Sequence, residues 1–314
     1  MLGAWILGQP HMAVLRQPAL VAPVEDALAG GGTGRARITH SSGAAQVSYE
    51  VTVTPLDGPV LLVFRDQSEL QAGASQRRDF VANVSHELKT PLTAIAGFIE
   101  TLRGPARDDT AARERFLAMT AQEVERMNRL VSDLLSLSRL EGQARRRPTA
   151  LVDLSDLVTE VAGLLRPGAE EAQVTLSLDL PEAAPIRGDG DQVKQVLTNL
   201  IENGIKYGGR PGQVTMAIRR IAREPVLRGP AWALTVADDG PGIAPEHIPR
   251  LTERFYRVDT GRSRAQGGTG LGLSIVKHIV NRHRGRLRIE SGEGDGTRVT
   301  IVLPAADATE RGLS

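Results

Sequence analysis

The segment 80–92 reads Phe-Val-Ala-Asn-Val-Ser-His-Glu-Leu-Lys-Thr-Pro-Leu. Phe80, Val84, Leu88, Leu92, Ile95, Ile99 and Leu102 recur at helical spacing, so these residues lie on an amphipathic helix. Val84, Leu88 and Ile95 mark its buried side. His86 stands two residues from Val84 and from Leu88, on a different side, toward solvent. Glu87 adjoins it with a carboxylate able to hold or accept an imidazole proton. Thr90 follows at i+4, one turn above His86 on the same face. Pro91 removes a backbone donor and is expected to kink the helix. A single His on a helix is usually structural. An exposed one with an acid beside it and a hydroxyl one turn on has no obvious packing purpose.

A second group of residues suits phosphate. Gly267-Gly268-Thr269-Gly270-Leu271-Gly272-Leu273 runs into a helix that begins near Ser274. Glycines before a helix N-terminus let backbone N–H groups converge on phosphate oxygens. The loop matches neither the Rossmann nor the Walker pattern, and by itself it is weak evidence. Asp238-Asp239-Gly240-Pro241-Gly242 closes a strand and is a turn in most proteins. The helix 192–207 carries Asn199 and Asn203 one turn apart, with Lys206 beyond them. Two amides on one face of an apolar helix are costly to bury without partners. They are either a satisfied buried pair or a ligand site, an Asn oxygen on Mg²⁺ with Lys206 near a phosphate.

The elements that position these groups fall into three zones of a 314-residue chain. In the first, Val47, Tyr49, Val51 and Val53 alternate with polar residues as a half-buried strand. Asp57-Gly58-Pro59 turns the chain into a second, more buried strand, 60–64. Upstream, 18–28 reads as one or two short helices ended by Gly30-Gly31-Gly32. The second zone, 75–141, is two long amphipathic helices broken at Gly104-Pro105, an antiparallel hairpin. One hairpin cannot hide its sustained apolar stripe, so pairing into a dimeric four-helix bundle is expected. Arg145-Arg146-Arg147-Pro148 reads as a solvated linker. The third zone mixes helices at 154–165, 192–207 and 274–282 with strands at 174–178, 213–218, 233–236, 286–291 and 297–303. That order without strict alternation implies an α/β sandwich with a largely antiparallel sheet.

Composition narrows the classes. Lys and Arg number 38 against 37 Asp and Glu, a formal charge of +1, which argues against a nucleic-acid binder. The chain has no Cys, so disulfides, thiolate metal sites and cysteine nucleophiles are excluded. No stretch approaches the ~18 apolar residues of a membrane span. The expected setting is cytoplasmic.

Together the motifs are specific. His86 to Leu92 resembles the phosphoacceptor box of sensor histidine kinases, and Asn199 to Tyr207 their N box. Asp238 to Gly242 resembles the first glycine box, Glu253-Arg254-Phe255-Tyr256-Arg257 the F box, and Gly268 to Leu273 the second glycine box. Gly294-Asp295-Gly296-Thr297 resembles the last glycine motif. Six boxes stand in the family's order, and the phosphate-regulon sensor kinases look nearest.

The resemblance implies a multidomain α+β protein. Residues 1–71 would be a partial PAS-like sensor domain, 75–141 the dimerisation and phosphotransfer hairpin, and 151–305 a Bergerat-type ATP-binding domain. The opening PAS strands are not recognisable, so the chain is expected to be part of a longer protein, with room for an upstream membrane anchor. By resemblance, His86, Glu87 and Thr90 are catalytic. Asn199, Asn203, Lys206, Tyr207, Asp238, Gly240, Gly242, Gly268, Gly270, Leu271, Gly272 and Thr297 bind ATP, with Mg²⁺ on Asn203. The implied partners are a response-regulator receiver domain and a second copy of the chain. In the gyrase relatives a Glu four residues before the metal-binding Asn activates water; here that place is Asn199, which has no useful basicity. A hydroxyl at Thr90 is expected to orient water for removing phosphate from the regulator, or else to cap near the kink. Gly204 departs from the Ala frequent in the N box, Gly208 from Ser or Thr, and Thr252 from Phe.

Overall fold

The structure is a computed structural model that describes residues 17–42, 45–143, 147–258 and 268–306. Gly267 and residues 145–146 of the basic run lie outside the described residues. The chain divides into two compact units, 1–87 and 88–314.

Among the described residues, the first unit holds helix α1 (Pro18–Leu28) and three antiparallel strands, β1 (Gly34–Ser42), β2 (Ala45–Pro55) and β3 (Val60–Asp66), in spatial order β1-β2-β3. One helix, not two, fills 18–28: Pro18 opens it where no N–H is needed, and it continues past Pro23. Leu20, Val24 and Ala27 pack on Ile38, Val51 and Val53. The turn expected at 57–59 joins β2 to β3, with Leu56 N–H donating to the Pro59 carbonyl at 2.8 Å. The expectation that the second strand is the more buried one is corrected. β2 is central, with Val51 and Val53 inaccessible, whereas β3 is an edge whose Leu61, Val63 and Phe64 are exposed. α1 covers one sheet face, and Leu61 and Val63 lie on the other. β1 went unread because only Ala36 and Ile38 supply an inward apolar alternation among Arg35, Arg37 and Thr39.

Helix α2 (Ser68–Arg103) runs without interruption through Pro91. The turn 104–109 leads into α3 (Thr110–Gln143), where Asp109 caps the start by accepting from the Ala112 N–H at 2.9 Å. Phe98 and Phe116, flanking this turn, meet with ring centroids 5.8 Å apart.

The remainder of the second unit is a two-layer sandwich. Its sheet has the order β5-β7-β8-β10-β9, formed by Val174–Asp179, Gly212–Glu224, Gly229–Asp238, Thr297–Pro304 and Arg286–Ser291 respectively. Only β5 and β7 are parallel, so the sheet is largely antiparallel as expected. Two three-residue strands, β4 (Leu151–Asp153) and β6 (Pro185–Arg187), pair apart from it and are too short for periodicity to reveal. Helices α4 (Leu154–Glu171), α5 (Gly190–Tyr207) and α6 (Gly272–Arg282) cover one face. Val214, Met216, Ile218, Leu234, Val236, Val299 and Ile301 point into this layer, while the opposite face carries polar pairs such as Thr235 and Thr300. α4 extends past Pro167, beyond the expected end at 165, because Ala169 adds a buried turn to the core. Among the described residues no helix is long and apolar enough to cross a membrane.

Candidate functional site

α5 turns Val193, Val196, Leu197, Leu200 and Ile201 into the core. At 100° per residue its opposite side must then show Asn199, Glu202, Asn203 and Lys206, and all four are half-buried there. The Asn199 amide donates to the Gln195 carbonyl at 3.0 Å. Its oxygen faces the start of α6, so a Cβ at Gly272 would stand 2.8 Å from it. Lys206 is not an open cation: its ammonium lies 2.7 Å from the Glu202 carboxylate. Tyr207, at the end of the helix, is exposed.

Asp238 ends β8 at the same edge. Its Oδ1 accepts from the Gly240 N–H at 3.0 Å and the Thr297 N–H at 3.2 Å. Burial pushes its carboxyl above the usual carboxylate range, and these two bonds oppose the shift. The loop after it is pinned to the loop at 291–297. Ser291 Oγ accepts from the Ile243 N–H at 2.9 Å and donates to the Gly296 carbonyl at 2.6 Å. Gly242 sits at φ +74 against the Gly292 carbonyl, where a side chain has neither the dihedral nor the room. The first and last glycine motifs are therefore one interlocked structure, and Thr297 belongs to it.

The second glycine box forms the N-terminal approach to α6. Gly270, at φ +71, presses on Phe255, whose N–H donates to the Gly270 carbonyl at 2.8 Å. The F box thus buttresses the glycine loop. Leu271 caps α6, and its N–H points to Thr269 Oγ1 at 3.3 Å. Thr269 in turn donates to Asp133 of α3 at 2.7 Å. Burial raises the Asp133 carboxyl, with the Thr269 bond opposing and the Glu202 charge reinforcing the shift. The sequence singles out Thr269 only as part of the glycine run, and Asp133 not at all. Nothing in a helix pattern says which polar residue of α3 will meet a loop more than a hundred positions away.

Asn199 and Gly272 are thus in one neighbourhood, as are Asp238, Gly240, Gly242 and Thr297, all within the second unit. His86 and Glu87 fall in the first. On α2, His86 and Thr90 are exposed and Glu87 is half-buried.

Residues 188–307 match the family of histidine kinase-, DNA gyrase B- and HSP90-like ATPases. Residues 76–143 match the His Kinase A (phospho-acceptor) domain. The chain belongs to the sensor histidine kinase family. It is 39% identical over 274 residues to the sensor-like histidine kinase SenX3 of Mycobacterium tuberculosis, covering 87% of this chain and 63% of that one. It is 40% identical over 253 residues to the phosphate regulon sensor protein PhoR of Pseudomonas aeruginosa, covering 80% and 55%. The chain therefore spans less than two thirds of the length of these curated relatives. Among solved structures, the histidine kinase AdeS of Acinetobacter baumannii matches with a TM-score of 0.55 at 28% identity, over 71% of this chain and 98% of that one. The histidine kinase ThkA, solved in complex with the response regulator TrrA, shares the fold with a TM-score of 0.58 at 19% identity, over 98% and 91%.

Within this sensor histidine kinase domain the departures from the family pattern have local causes. A Cβ at Gly204 would come 2.8 Å from Val214, so the glycine matches a β-branched neighbour on β7. Gly208 closes on the Gly204 carbonyl, which leaves no space for the usual hydroxyl residue. Thr252 accepts from Lys277 of α6 at 3.3 Å.

Proposed function

We propose that the chain phosphorylates itself on His86 with ATP and passes the phosphoryl group to an Asp of a response-regulator receiver domain. A neutral imidazole nitrogen of His86 attacks the γ-phosphorus, the bond to the β–γ bridging oxygen breaks, and ADP leaves with that electron pair. The other ring nitrogen becomes acidic and gives its proton to Glu87. The phosphoramidate product is transferred to the regulator. Thr90 orients water for the reverse service, dephosphorylation of that regulator.

On the nucleotide side, Asp238 accepts from the adenine amino group. Its two backbone bonds hold the carboxylate rigidly and load only Oδ1. Gly240, Gly242, Tyr207 and Thr297 shape the base pocket, and Gly268, Gly270, Leu271 and Gly272 present backbone N–H groups to the phosphates. Among the described residues no cluster of three or more His, Cys, Asp or Glu could hold a metal. The half-buried Asn203 amide on α5 offers an oxygen that fits Mg²⁺ held together with phosphates and water, the way this ion is usually bound. Bound Mg²⁺ would spread the phosphate charge. Lys206 would exchange Glu202 for a phosphate.

Asn199 carries the choice of transfer over hydrolysis. It stands where hydrolysing relatives of this fold keep a water-activating carboxylate, and its amide is committed to Gln195 and faced by Gly272. We also read the chain as three functional parts: a PAS-like sensor at 1–71, the dimeric phosphotransfer hairpin at 75–141 and the ATP domain at 151–305.

The test is labelling with γ-radiolabelled ATP. An acid-labile, base-stable label is expected on the wild type. His86→Gln should carry none while binding Mg·ATP normally, since the nucleotide residues lie elsewhere. A normally labelled His86→Gln protein would refute the assignment.

A further inference from the structure

The glycine loop is held by a residue that has no place in the reaction. α3 presents Leu130, Asp133, Leu134, Leu137, Leu140 and Glu141 on one side, as positions three, four, seven, ten and eleven after the first require. Leu130, Leu134 and Leu140 are part of the same hydrophobic core as α5 and α6. Two polar pins accompany this apolar strip. Asp133 holds Thr269 at 2.7 Å, and Glu141 pairs with Arg254 of the F box. The F box and the glycine loop are themselves joined through Phe255 and Gly270. Both pins thus act on one loop assembly.

A hydroxyl has one proton to give. While Thr269 donates to Asp133 it cannot donate to a phosphate oxygen. Its Oγ1 also accepts from the Leu271 N–H, one of the helix-start donors with no acceptor inside the helix that an anion would use. Asp133 further places a carboxylate beside the cradle, near Glu202, where a nucleotide would bring several negative charges. We propose that α3 gates the site: Asp133 competes with the nucleotide phosphates for Thr269, so docking of the hairpin helix and loading of ATP oppose each other. This rests on the ATP reading above and names its regulation. Coupling of this kind is reciprocal. Whatever loosens α3 tightens ATP binding, and ATP loosens α3 by the same factor. A signal arriving along the hairpin would then have a direct route to the nucleotide.

The test uses the full chain, titrated calorimetrically with Mg²⁺ and a non-hydrolysable ATP analogue. Asp133→Ala removes both charge and acceptor and should tighten binding about five- to tenfold. Asp133→Asn keeps an acceptor but removes the charge, and should fall between it and the wild type. Glu141→Gln, at an exposed and nearly isosteric position, should tighten binding about twofold and add to the effect at 133. Those two mild variants keep the test open if Asp133→Ala folds poorly. Unchanged or weaker binding in Asp133→Asn and Glu141→Gln, with the wild type binding normally, overturns the gate alone. No binding by any of the proteins overturns the ATP reading and the gate with it.

Discussion

Both hydrogen bonds accepted by Asp238 end on Oδ1, and this makes the residue a sharper probe than its carboxylate alone suggests. An Asn at this place can keep its single oxygen on the Gly240 and Thr297 N–H groups. Its amide nitrogen then replaces Oδ2 and presents a donor where the adenine amino group also presents one. Asp238→Asn should therefore fold normally yet lose affinity for ATP by about tenfold or more, the cost of a mismatched buried hydrogen bond. Its affinity for GTP, whose ring carries an acceptor at that position, should fall much less. Competitive binding of the two nucleotides measures the ratio. An ATP-to-GTP preference equal to that of the wild type would show that Asp238 does not read the base.

At the scale of elements, the turn from α6 into β9 contains a group the sequence did not flag. His283 is buried, with Nδ1 2.8 Å from the Ile279 carbonyl and Nε2 3.0 Å from the Asp189 N–H. The neutral ring with its proton on Nδ1 satisfies both bonds. Protonation would set a second N–H against that of Asp189. Burial accordingly holds the imidazole below its ordinary value near 6.5. The unfolded chain takes up this proton first as pH falls, so the stabilisation is complete above about 6.5 and is lost progressively below it. The wild type should show this acid slope, up to about 1.4 kcal/mol per pH unit for one proton. His283→Gln, with no proton to gain, should show less of it. Parallel melts between pH 5 and 8 compare them, and identical slopes would exclude the residue. The contrast with α5 explains what was legible. Val193, Val196, Leu197, Leu200 and Ile201 announce that helix and, by subtraction, the side bearing Asn199 and Asn203. The glycine boxes announce close backbone approaches, which is where Gly242, Gly270 and Gly272 stand. His283, Asp133 and the edge position of β3 depend on which distant element packs alongside, and local spacing carries no record of that.

For the whole molecule, α3 has two apolar faces rather than the single stripe read from spacing. Leu130, Leu134 and Leu140 pack into the core of the ATP domain. Leu117, Val124, Val131 and Leu135 lie roughly 120° around the helix and stay 52%, 44%, 44% and 54% exposed. On α2, Leu88, Leu92, Ile95, Ile99 and Leu102 follow steps of four and three, the seam of a coiled coil. Leu92 and Ile99 in that seam are 53% and 45% exposed. A monomer rarely leaves two such stripes wet. A second copy laying its own α2 and α3 against them completes a four-helix bundle, and an isologous contact covers the same residues on both chains. Dimerisation through these stripes would use a face of α3 other than the one packed on the ATP domain, so the proposed gate at Asp133 could open without dissolving such a dimer. The full chain should sediment as a dimer at micromolar concentration. Ile99→Glu combined with Val131→Glu should give a folded monomer that still binds ATP, because neither side chain faces the nucleotide residues. A wild-type chain that sediments as a folded monomer at tens of micromolar would contradict the bundle and would leave these stripes to some other partner.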